Sequence, residues 1–248
     1  MCSTRLTVEL RQRVNELEDR DGNLRFLQAI LAEIRLTADL RVLEIGCGTG
    51  LLGQFMSAVL GVPVCGLESS SALASIANKR FKCLSCPDGK IPDALGEFDL
   101  IYCKDMLMMV NDKREFYGSI RSHLRDGGTF CTYLPEEHDY ARKPLFTFLP
   151  SSRISSLLCY GSLENNLQLL KESGFTNVRT SRLFLGSVQM NDNYVRRHSD
   201  GYFSNSESLI YEAERRAGLQ DLLDSIITLE EFGVLVHYEW ERTMVVAQ

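Results

Sequence analysis

Residues 42–50 have the sequence VLEIGCGTG, and they decide how the rest of the chain is interpreted. The apolar residues of a buried strand lead directly into a turn that has glycine at alternate positions. Residues 51–56 (LLGQFM) continue with helical spacing. Because glycine has no Cβ, a ligand can approach the backbone of such a turn, and the start of the helix points N–H groups at it. The stretch therefore predicts a strand–turn–helix unit that binds a ligand at its turn.

The spacing of the glycines separates two kinds of nucleotide site. A dinucleotide-binding turn has the pattern Gly-x-Gly-x-x-Gly/Ala, in which the last small residue lets the helix pack against the strand. This chain has Gly46, Gly48 and Gly50, and Leu51 follows, so a nicotinamide-dependent oxidoreductase is excluded. The pattern Glu-x-Gly-x-Gly-x-Gly, which begins at Glu44, resembles the first motif of the class I S-adenosylmethionine-dependent methyltransferases.

The segments after this turn alternate between strands and helices, which indicates a parallel sheet covered by helices on both faces. The expected strands are residues 40–45, 63–68, 82–85, 98–103, 129–134, 176–184 and 233–247. The expected helices are residues 51–60, 71–81, 113–125, 162–173 and 204–223, after two amphipathic helices that precede residue 38.

Further segments resemble the same family. Phe98–Ile101 (FDLI) matches its fourth-strand motif, and Leu124–Gly128 (LRDGG) and Leu170–Phe175 (LKESGF) resemble its turns before strands five and six. The resemblance covers roughly residues 38–184 and the last strand. It implies an α/β fold with a Rossmann-like, seven-stranded, mostly parallel sheet and an antiparallel last strand. It also implies helices on both faces and lid insertions after strands five and six.

The resemblance implies one methyltransferase domain over residues 1–248. Residues 1–37 are expected as an N-terminal helical cap, residues 38–134 as the cofactor-binding half and residues 135–248 as the substrate-side half. The lid segments are residues 135–161 and 186–228. They are expected to select the substrate, because loops on a rigid scaffold carry specificity.

The resemblance implies S-adenosyl-L-methionine as the cofactor and S-adenosyl-L-homocysteine as its product. Glu44 would meet the ammonium group directly or through water, and Glu68 would accept hydrogen bonds from the ribose hydroxyls, as acidic residues do in dinucleotide folds. The family often has Gly-Asp-Ala where this chain has Cys86-Pro87-Asp88, so Asp88 would act one position later. The expected cofactor-binding residues are Glu44, Gly46, Cys47, Gly48, Gly50, Glu68, Ser69, Cys86, Asp88, Cys103 and Lys104.

Methyl transfer is an in-line displacement, in which positioning and the exclusion of water are the main contributions of a protein. A general base is needed only where the acceptor must lose a proton. Many relatives have Leu-His-His after strand four, but this chain has Leu107-Met108-Met109. The candidate catalytic residues are therefore Asp105, Tyr133 and His138. The candidate substrate-binding residues are Met108, Tyr140, Arg197 and Tyr202.

Composition limits the partners of the protein. The chain has 248 residues, 44% of them hydrophobic, and a net charge of −6. It has neither a block of Lys and Arg nor a long apolar run, so we expect no nucleic-acid partner, no membrane span and a cytoplasmic location. Cys83-x-x-Cys86 has no second pair of Cys or His nearby, so no metal site is expected. The oligomeric state stays open between monomer and homodimer.

The sequence predicts methyl transfer to an oxygen or nitrogen atom, and less readily to carbon or sulfur, of a small molecule of specialised metabolism. Two alternatives stay open. A protein of this fold could use the cofactor structurally or catalyse a non-methylating reaction. A non-enzymatic binding module could retain a degenerate turn, although the intact Glu44, glycine and Glu68 pattern argues against it.

Overall fold

The computed structural model describes residues 20–87, 89–199 and 210–248, without the side chains of residues 20, 21 and 197–199. The first expected N-terminal helix, Asp88, Tyr202 and the expected start of the last helix at residue 204 lie outside the described residues. Arg197 is described only as part of a helical backbone.

Seven strands form one sheet in the described part of the chain. In chain order they are β1 (Val42–Ile45), β2 (Val64–Glu68), β3 (Cys83–Ser85), β4 (Phe98–Cys103), β5 (Leu124–Leu134), β6 (Val178–Met190) and β7 (Val236–Ala247). Their order across the sheet is β3-β2-β1-β4-β5-β7-β6. The first five strands are parallel, and β7 is antiparallel to both β5 and β6. The strand order reverses between β1 and β4, which is where sheets of this kind bind ligands.

Helices surround this sheet. In chain order they are α1 (Arg20–Leu31), α2 (Leu51–Leu60), α3 (Ser71–Ala77), α4 (Lys113–Ser122), α5 (Glu137–Ala141), α6 (Leu145–Phe148), α7 (Pro150–Tyr160), α8 (Leu163–Glu172), α9 (Asp192–Ser199) and α10 (Glu212–Glu231). Short 3-10 helices span Asp93–Leu95 and Leu107–Met109. None of the described helices combines the length and the apolar character that crossing a membrane requires.

The helix after the glycine turn and the fourth strand are confirmed with their expected bounds. Two expected helix ends are wrong. The helix expected to reach residue 81 ends at Ala77, because the Asn78 side chain accepts a hydrogen bond from Cys83 N at 2.9 Å and directs the chain into β3. The helix expected to reach residue 125 ends at Ser122, and Gly127 and Gly128 lie inside β5.

The C-terminal half is more regular than the sequence predicted. The first lid segment contains the three helices α5, α6 and α7 instead of irregular loop. The strand expected to end at Phe184 continues to Met190, because β7 pairs with it as far as Val236. The second lid segment is therefore built from the end of β6, from α9 and from most of α10.

Buried side chains cover both faces of the sheet, because neighbouring residues of a strand point to opposite faces. On one face, Leu43, Ile101 and Phe130 pack against Ile120 of α4 and Leu170 of α8. The other face packs against α1 and α2, and its buried members include Val42, Leu100, Tyr102, Tyr133 and Met244 of the sheet with Phe26, Ile30 and Met56 of the helices. These two layers hold the carboxyl ends of the strands in fixed positions.

The two lid segments pack against each other. Leu145 and Leu149, which follow β5, share an apolar cluster with Met190 at the end of β6 and with Leu219 and Leu222 of α10. We call α6, α9, α10 and the paired ends of β6 and β7 (residues 186–190 and 236–240) the lid assembly. It has its own buried core beyond the carboxyl edge of β5.

An ionic network fixes the start of the first lid segment. Arg182 of β6 pairs with Asp139 at 2.6 Å, with Glu241 at 3.0 Å and with Glu136 at 3.3 Å. Thr243 also donates a hydrogen bond to Glu136. The Asp139 side chain is buried, so its pairing with the Arg182 guanidinium offsets the cost of removing it from water. The network ties α5 to the antiparallel pair β6–β7.

Candidate functional site

The glycine turn lies at the carboxyl end of β1, beside β4. Gly46, Gly48 and Gly50 have φ values of 70°, 57° and 81°, a region that residues with a Cβ adopt at a cost. Gly46 N–H and Cys47 N–H both donate to Leu67 O, at 2.8 and 3.1 Å, and this ties the turn to the end of β2. Gly50 is the N-cap of α2, and no side chain caps that helix.

Two of these glycines are also required by close packing. A Cβ on Gly46 would lie 2.5 Å from Met106 Cγ, and a Cβ on Gly50 would lie 3.0 Å from Ala77 Cα. Gly48, between them, has a different role, because its N–H donates a hydrogen bond of 2.8 Å to Glu68 Oε2. The turn is therefore held at both ends by packing and in its middle by a carboxylate.

Glu68 ends β2 with its carboxylate bonded to backbone amides. Oε2 accepts from Gly48 N–H at 2.8 Å, and Oε1 accepts from Ser70 N–H at 2.9 Å and from the Ser69 hydroxyl at 3.5 Å. The residue is buried, and its orientation is fixed by these bonds. A carboxylate has about four acceptor positions, so Glu68 retains capacity for ribose hydroxyl groups.

Glu44 lies in β1, two residues before Gly46, and is paired with Tyr102 of the neighbouring strand β4. Burial raises the pKa of its carboxyl to about 8, and the nearby Tyr102 hydroxyl, Lys104 ammonium and Gly53 amide offset only part of that rise. Its Oε2 makes no hydrogen bond in the described part of the chain, and neither does the Tyr102 hydroxyl. An orphaned, buried acidic oxygen beside the glycine turn fits a ligand that brings a cationic group, reached directly or through water.

The end of β3 supplies Cys86, which is buried and whose N–H donates to Glu68 O at 2.9 Å. Cys47 of the turn lies with its Sγ 3.3 Å from Cys83 Sγ. Cys103 ends β4, and burial raises the pKa of its thiol to about 12. These three thiols of the expected cofactor region are buried, apolar surfaces of the site.

Asp105 follows β4 and is held in a left-handed conformation, with φ of 51°. Its Oδ2 accepts hydrogen bonds from the Tyr133 hydroxyl at 2.5 Å and from Lys104 Nζ at 3.2 Å. Burial opposes ionisation of Asp105, but the Lys104 ammonium, the Tyr133 hydroxyl and the Arg242 guanidinium together hold its pKa below the usual value. Non-glycine residues at positive φ concentrate at functional sites, and here the strain sets a charged carboxylate at the edge of the switch point.

The structure brings two predicted catalytic residues together and leaves the third apart. Asp105 and Tyr133 are hydrogen-bonded, whereas the half-exposed His138 has its Nε2 3.3 Å from Asp139 Oδ1 in the ionic network of α5. Met108 lies on the short helix after β4 and packs against the core, while Met109 is exposed.

Tyr140 is a buried residue of α5 whose ring packs edge-on against Phe146 at 5.1 Å. Its hydroxyl makes no hydrogen bond in the described residues, although Ser156 lies close enough to affect its pKa. Burial raises that pKa, so the hydroxyl keeps its proton. Arg197 and Tyr202 add no described side chain to the site.

Sequence reasoning missed two residues of β7. Lys104 Nζ lies 6.0 Å from the centre of the Trp240 ring, and Arg242 Cζ lies 5.7 Å from it. The signal in the sequence is weak, since it is only that the single tryptophan stands two residues before an arginine in the last strand. Trp240 and Arg242 lie near Lys104 because β7 pairs with β5 in the antiparallel direction.

Comparison with known proteins matches residues 10–180 to a family described as Methyltransferase domain. The chain is 32% identical over 130 residues to trans-aconitate 2-methyltransferase from Deinococcus radiodurans, covering 52% of this chain and 49% of that protein. The chain spans about half or less of the length of the curated relatives it matches.

Solved structures share the fold. A protein of Anabaena variabilis, assigned as a methyltransferase of an antibiotic biosynthesis pathway, has a TM-score of 0.70 and 16% identity, over 91% of this chain and 97% of that one. Phosphoethanolamine N-methyltransferase 2 of Haemonchus contortus, solved with phosphomonomethylethanolamine and S-adenosylhomocysteine, has a TM-score of 0.53 and 15% identity, over 96% of this chain and 59% of that one.

These likenesses agree with the strand order, the glycine turn and the carboxylate at the end of β2. The family match alone covers more than half of the 248 residues. The chain therefore belongs to the methyltransferase domain family, within the class I S-adenosylmethionine-dependent methyltransferases.

Proposed function

We propose that the protein transfers the methyl group of S-adenosyl-L-methionine to an oxygen or nitrogen atom of a small molecule. The observation that carries the proposal is the bond between Gly48 N–H and Glu68 Oε2 at the switch point of the sheet. It sets a ribose-binding carboxylate against the turn that approaches the ligand most closely. The relatives support a small acceptor, since they are named after trans-aconitate and phosphoethanolamine.

Each part of the cofactor has a matching group in this chain. The turn of residues 46–50 would lie against the methionine and ribose portions, and Glu68 would accept from the ribose hydroxyls. Glu44 would compensate the ammonium group. When bound, the cofactor supplies an electrophilic methyl group. Ser69, Cys86, Cys103 and Lys104 line the strand ends around it.

Asp105 is our candidate for the proton acceptor. Its Oδ2 takes the bonds from Tyr133 and Lys104, and Oδ1 makes none in the described residues. The lowered pKa keeps Asp105 ionised at neutral pH, so Oδ1 can accept a proton from a hydroxyl or ammonium group of the acceptor. Tyr133 would hold the carboxylate in place. His138 is a second candidate for the proton acceptor, and its Nε2 lies 3.3 Å from Asp139 Oδ1.

The proposal is tested by calorimetric titration with S-adenosyl-L-homocysteine. Glu68→Ala and Gly48→Val should each weaken binding by about tenfold or more. The first removes the carboxylate that accepts charge-assisted bonds, and the second disfavours the left-handed conformation (φ 57°) in which Gly48 N–H faces Glu68. Glu164→Ala, a change at an exposed acid in the first turn of α8, is the matched control and should bind like the wild type. Ligand at about 100 times its dissociation constant should also stabilise the fold by about 2.7 kcal/mol in thermal melting.

Asp105→Asn separates binding from chemistry in the same experiment. We expect it to bind S-adenosyl-L-homocysteine normally and to lower turnover of an acceptor by about 10²–10⁴-fold, the usual loss with a general base. A folded wild-type protein that does not bind the ligand would refute the proposal. Binding without a methylated product from any acceptor would refute the transfer reaction alone.

A further inference from the structure

Among the residues that the structure describes, Arg242 differs from the arginines around it in having no carboxylate partner. It lies half-buried on β7, and its Nη1 donates to Glu241 O at 2.7 Å. Within the described residues it forms no ion pair, whereas the nearby Arg182 pairs with three carboxylates and Arg142 with Glu241. A half-buried guanidinium retains several donors that need acceptors. Arg242 therefore has unused capacity to bind an anion.

Arg242 adds a positive charge beside the candidate base, next to the Lys104–Asp105 pair. Lys104 and Asp105 pair at 3.2 Å and compensate each other, and the Arg242 charge acts on Asp105 and on the phenol of Tyr140. Both cations lie over the Trp240 ring, with Lys104 Nζ at 6.0 Å and Arg242 Cζ at 5.7 Å from its centre, so the ring helps to hold them.

Tyr140 supplies a second, independent observation at the same place. The residue is 4% exposed, and its hydroxyl has no hydrogen-bond partner in the described chain. A buried hydroxyl without a partner costs free energy, which a ligand oxygen would recover by accepting its proton. The Arg142–Glu241 pair, at 2.9 Å, holds the helix of Tyr140 against β7 beside Arg242, and the Arg242 and Asp105 charges both act on the phenol.

We infer that Arg242 and Tyr140, with Lys104 beside them, bind an anionic group, carboxylate or phosphate, of the methyl acceptor. The inference rests on the proposed function, because it assumes that the protein methylates a small acceptor. That acceptor would have an anionic end and a nucleophilic end. The anionic end lies on the guanidinium, which recognises carboxylate and phosphate through paired N–H donors. The nucleophilic end then lies toward Asp105 Oδ1. The substrates are therefore small acids or phosphate esters that carry a separate hydroxyl or amine.

Trp240 provides a readout that does not depend on turnover. It is the only tryptophan of the chain, so the change in its emission reports events at this site. The protein is first saturated with S-adenosyl-L-homocysteine and then titrated with trans-aconitate as a carboxylate probe and phosphoethanolamine as a phosphate probe. Ethanolamine, which lacks the anionic group, is the ligand control. Arg216→Gln, the same charge change on the exposed surface of α10, is the protein control.

We expect at least one anion to change the emission saturably in the wild type and in Arg216→Gln. Arg242→Gln should weaken that binding by about tenfold or more, equivalent to about 1.4 kcal/mol, while its affinity for S-adenosyl-L-homocysteine stays unchanged. Arg242→Lys should restore part of the affinity and Tyr140→Phe should lose part of it. The probe that binds distinguishes a carboxylate from a phosphate acceptor.

Three results would overturn the inference and leave the proposed function standing. One is equal anion binding by Arg242→Gln and the wild type, and another is the absence of anion binding by a protein that binds S-adenosyl-L-homocysteine. Equal binding of ethanolamine would also overturn it, because the anionic group would then be irrelevant. Failure of S-adenosyl-L-homocysteine to bind would instead refute the proposed function and this inference with it.

Discussion

At the scale of single residues, Glu44 is an acidic side chain in a buried environment that disfavours its charged form. Its carboxyl is buried beneath α2, and a Cβ on Gly53 would lie 2.5 Å from its Oε2. Burial raises its pKa from 4.5 to about 8, and the hydroxyl of Tyr102, its partner across the β1–β4 pair, offsets only part of that rise. The cofactor-free protein therefore keeps this group protonated at neutral pH.

The raised pKa predicts a stability that falls with rising pH. A carboxyl whose pKa is higher in the folded state contributes stability that is fully present below its unfolded pKa and is lost as pH rises through about 8. We expect the free energy of unfolding of the cofactor-free protein to fall by about 4 kcal/mol between about pH 5 and about pH 8.5 on account of this residue. Urea unfolding at several pH values measures it.

Glu44→Gln is the matched variant for this prediction, because it keeps the shape of the side chain and removes the titration. The difference in unfolding free energy between wild type and variant should change over the same pH range. A difference that stays constant with pH would show that Glu44 titrates normally.

At the scale of secondary-structure elements, the close contact between α10 and α6 holds the lid assembly together. Gly218 lies in the middle of α10, and a Cβ there would overlap the carbonyl oxygen of Phe148 and lie 2.7 Å from Leu149 Cδ2. Glycine normally weakens a helix interior, so its presence here reflects the close approach of two backbones.

Gly218→Ala should therefore destabilise the protein by about 1–3 kcal/mol despite the better helix propensity of alanine, because overpacking forces the two elements apart. Gly118→Ala in α4 is the control, since a Cβ there meets no atom within 4 Å. That variant should be stabilised by about 0.5–1 kcal/mol. Urea unfolding compares both. A stabilised Gly218→Ala variant would show that α6 and α10 are not in close contact.

At the scale of the whole molecule, the apolar cores divide between the sheet and the lid assembly. The sheet has a buried layer on each face, while the lid assembly has a separate cluster around Leu149, Leu219 and Leu222. Small clusters open at lower free energy than the global core, so the lid assembly is expected to open while the cofactor turn stays folded.

Leu222→Ala tests this division. The side chain is 2% exposed, and its truncation should remove about 2–5 kcal/mol of packing from the lid assembly. Hydrogen exchange should accelerate in α6, α9 and α10 far more than in β1, β2 and β4, and affinity for S-adenosyl-L-homocysteine should persist. Uniform acceleration across sheet and lid would show that the molecule unfolds as one unit and would contradict the division.

Much of the cofactor half could be predicted because its signals are local. The glycine turn, the helix after it and the acid at the end of β2 each follow from residues close in sequence. The ends of helices are harder to predict, because a single hydrogen bond to a side chain, such as that from Cys83 N to Asn78 Oδ1, decides where a helix stops. The lid segments resembled loops because their exposed polar residues hide the pairing of β6 with β7.

The sequence by itself determined the family, the parallel order of the first strands and the glycine turn between β1 and α2, since these depend on glycine conformation and on hydrophobic periodicity. Only the tertiary structure decided that Tyr133 donates to Asp105, and that Lys104, Trp240 and Arg242 lie together. The physical reason is the antiparallel β7. It brings residues near the end of the chain beside β5, so contacts made there leave no periodic or local trace in the sequence.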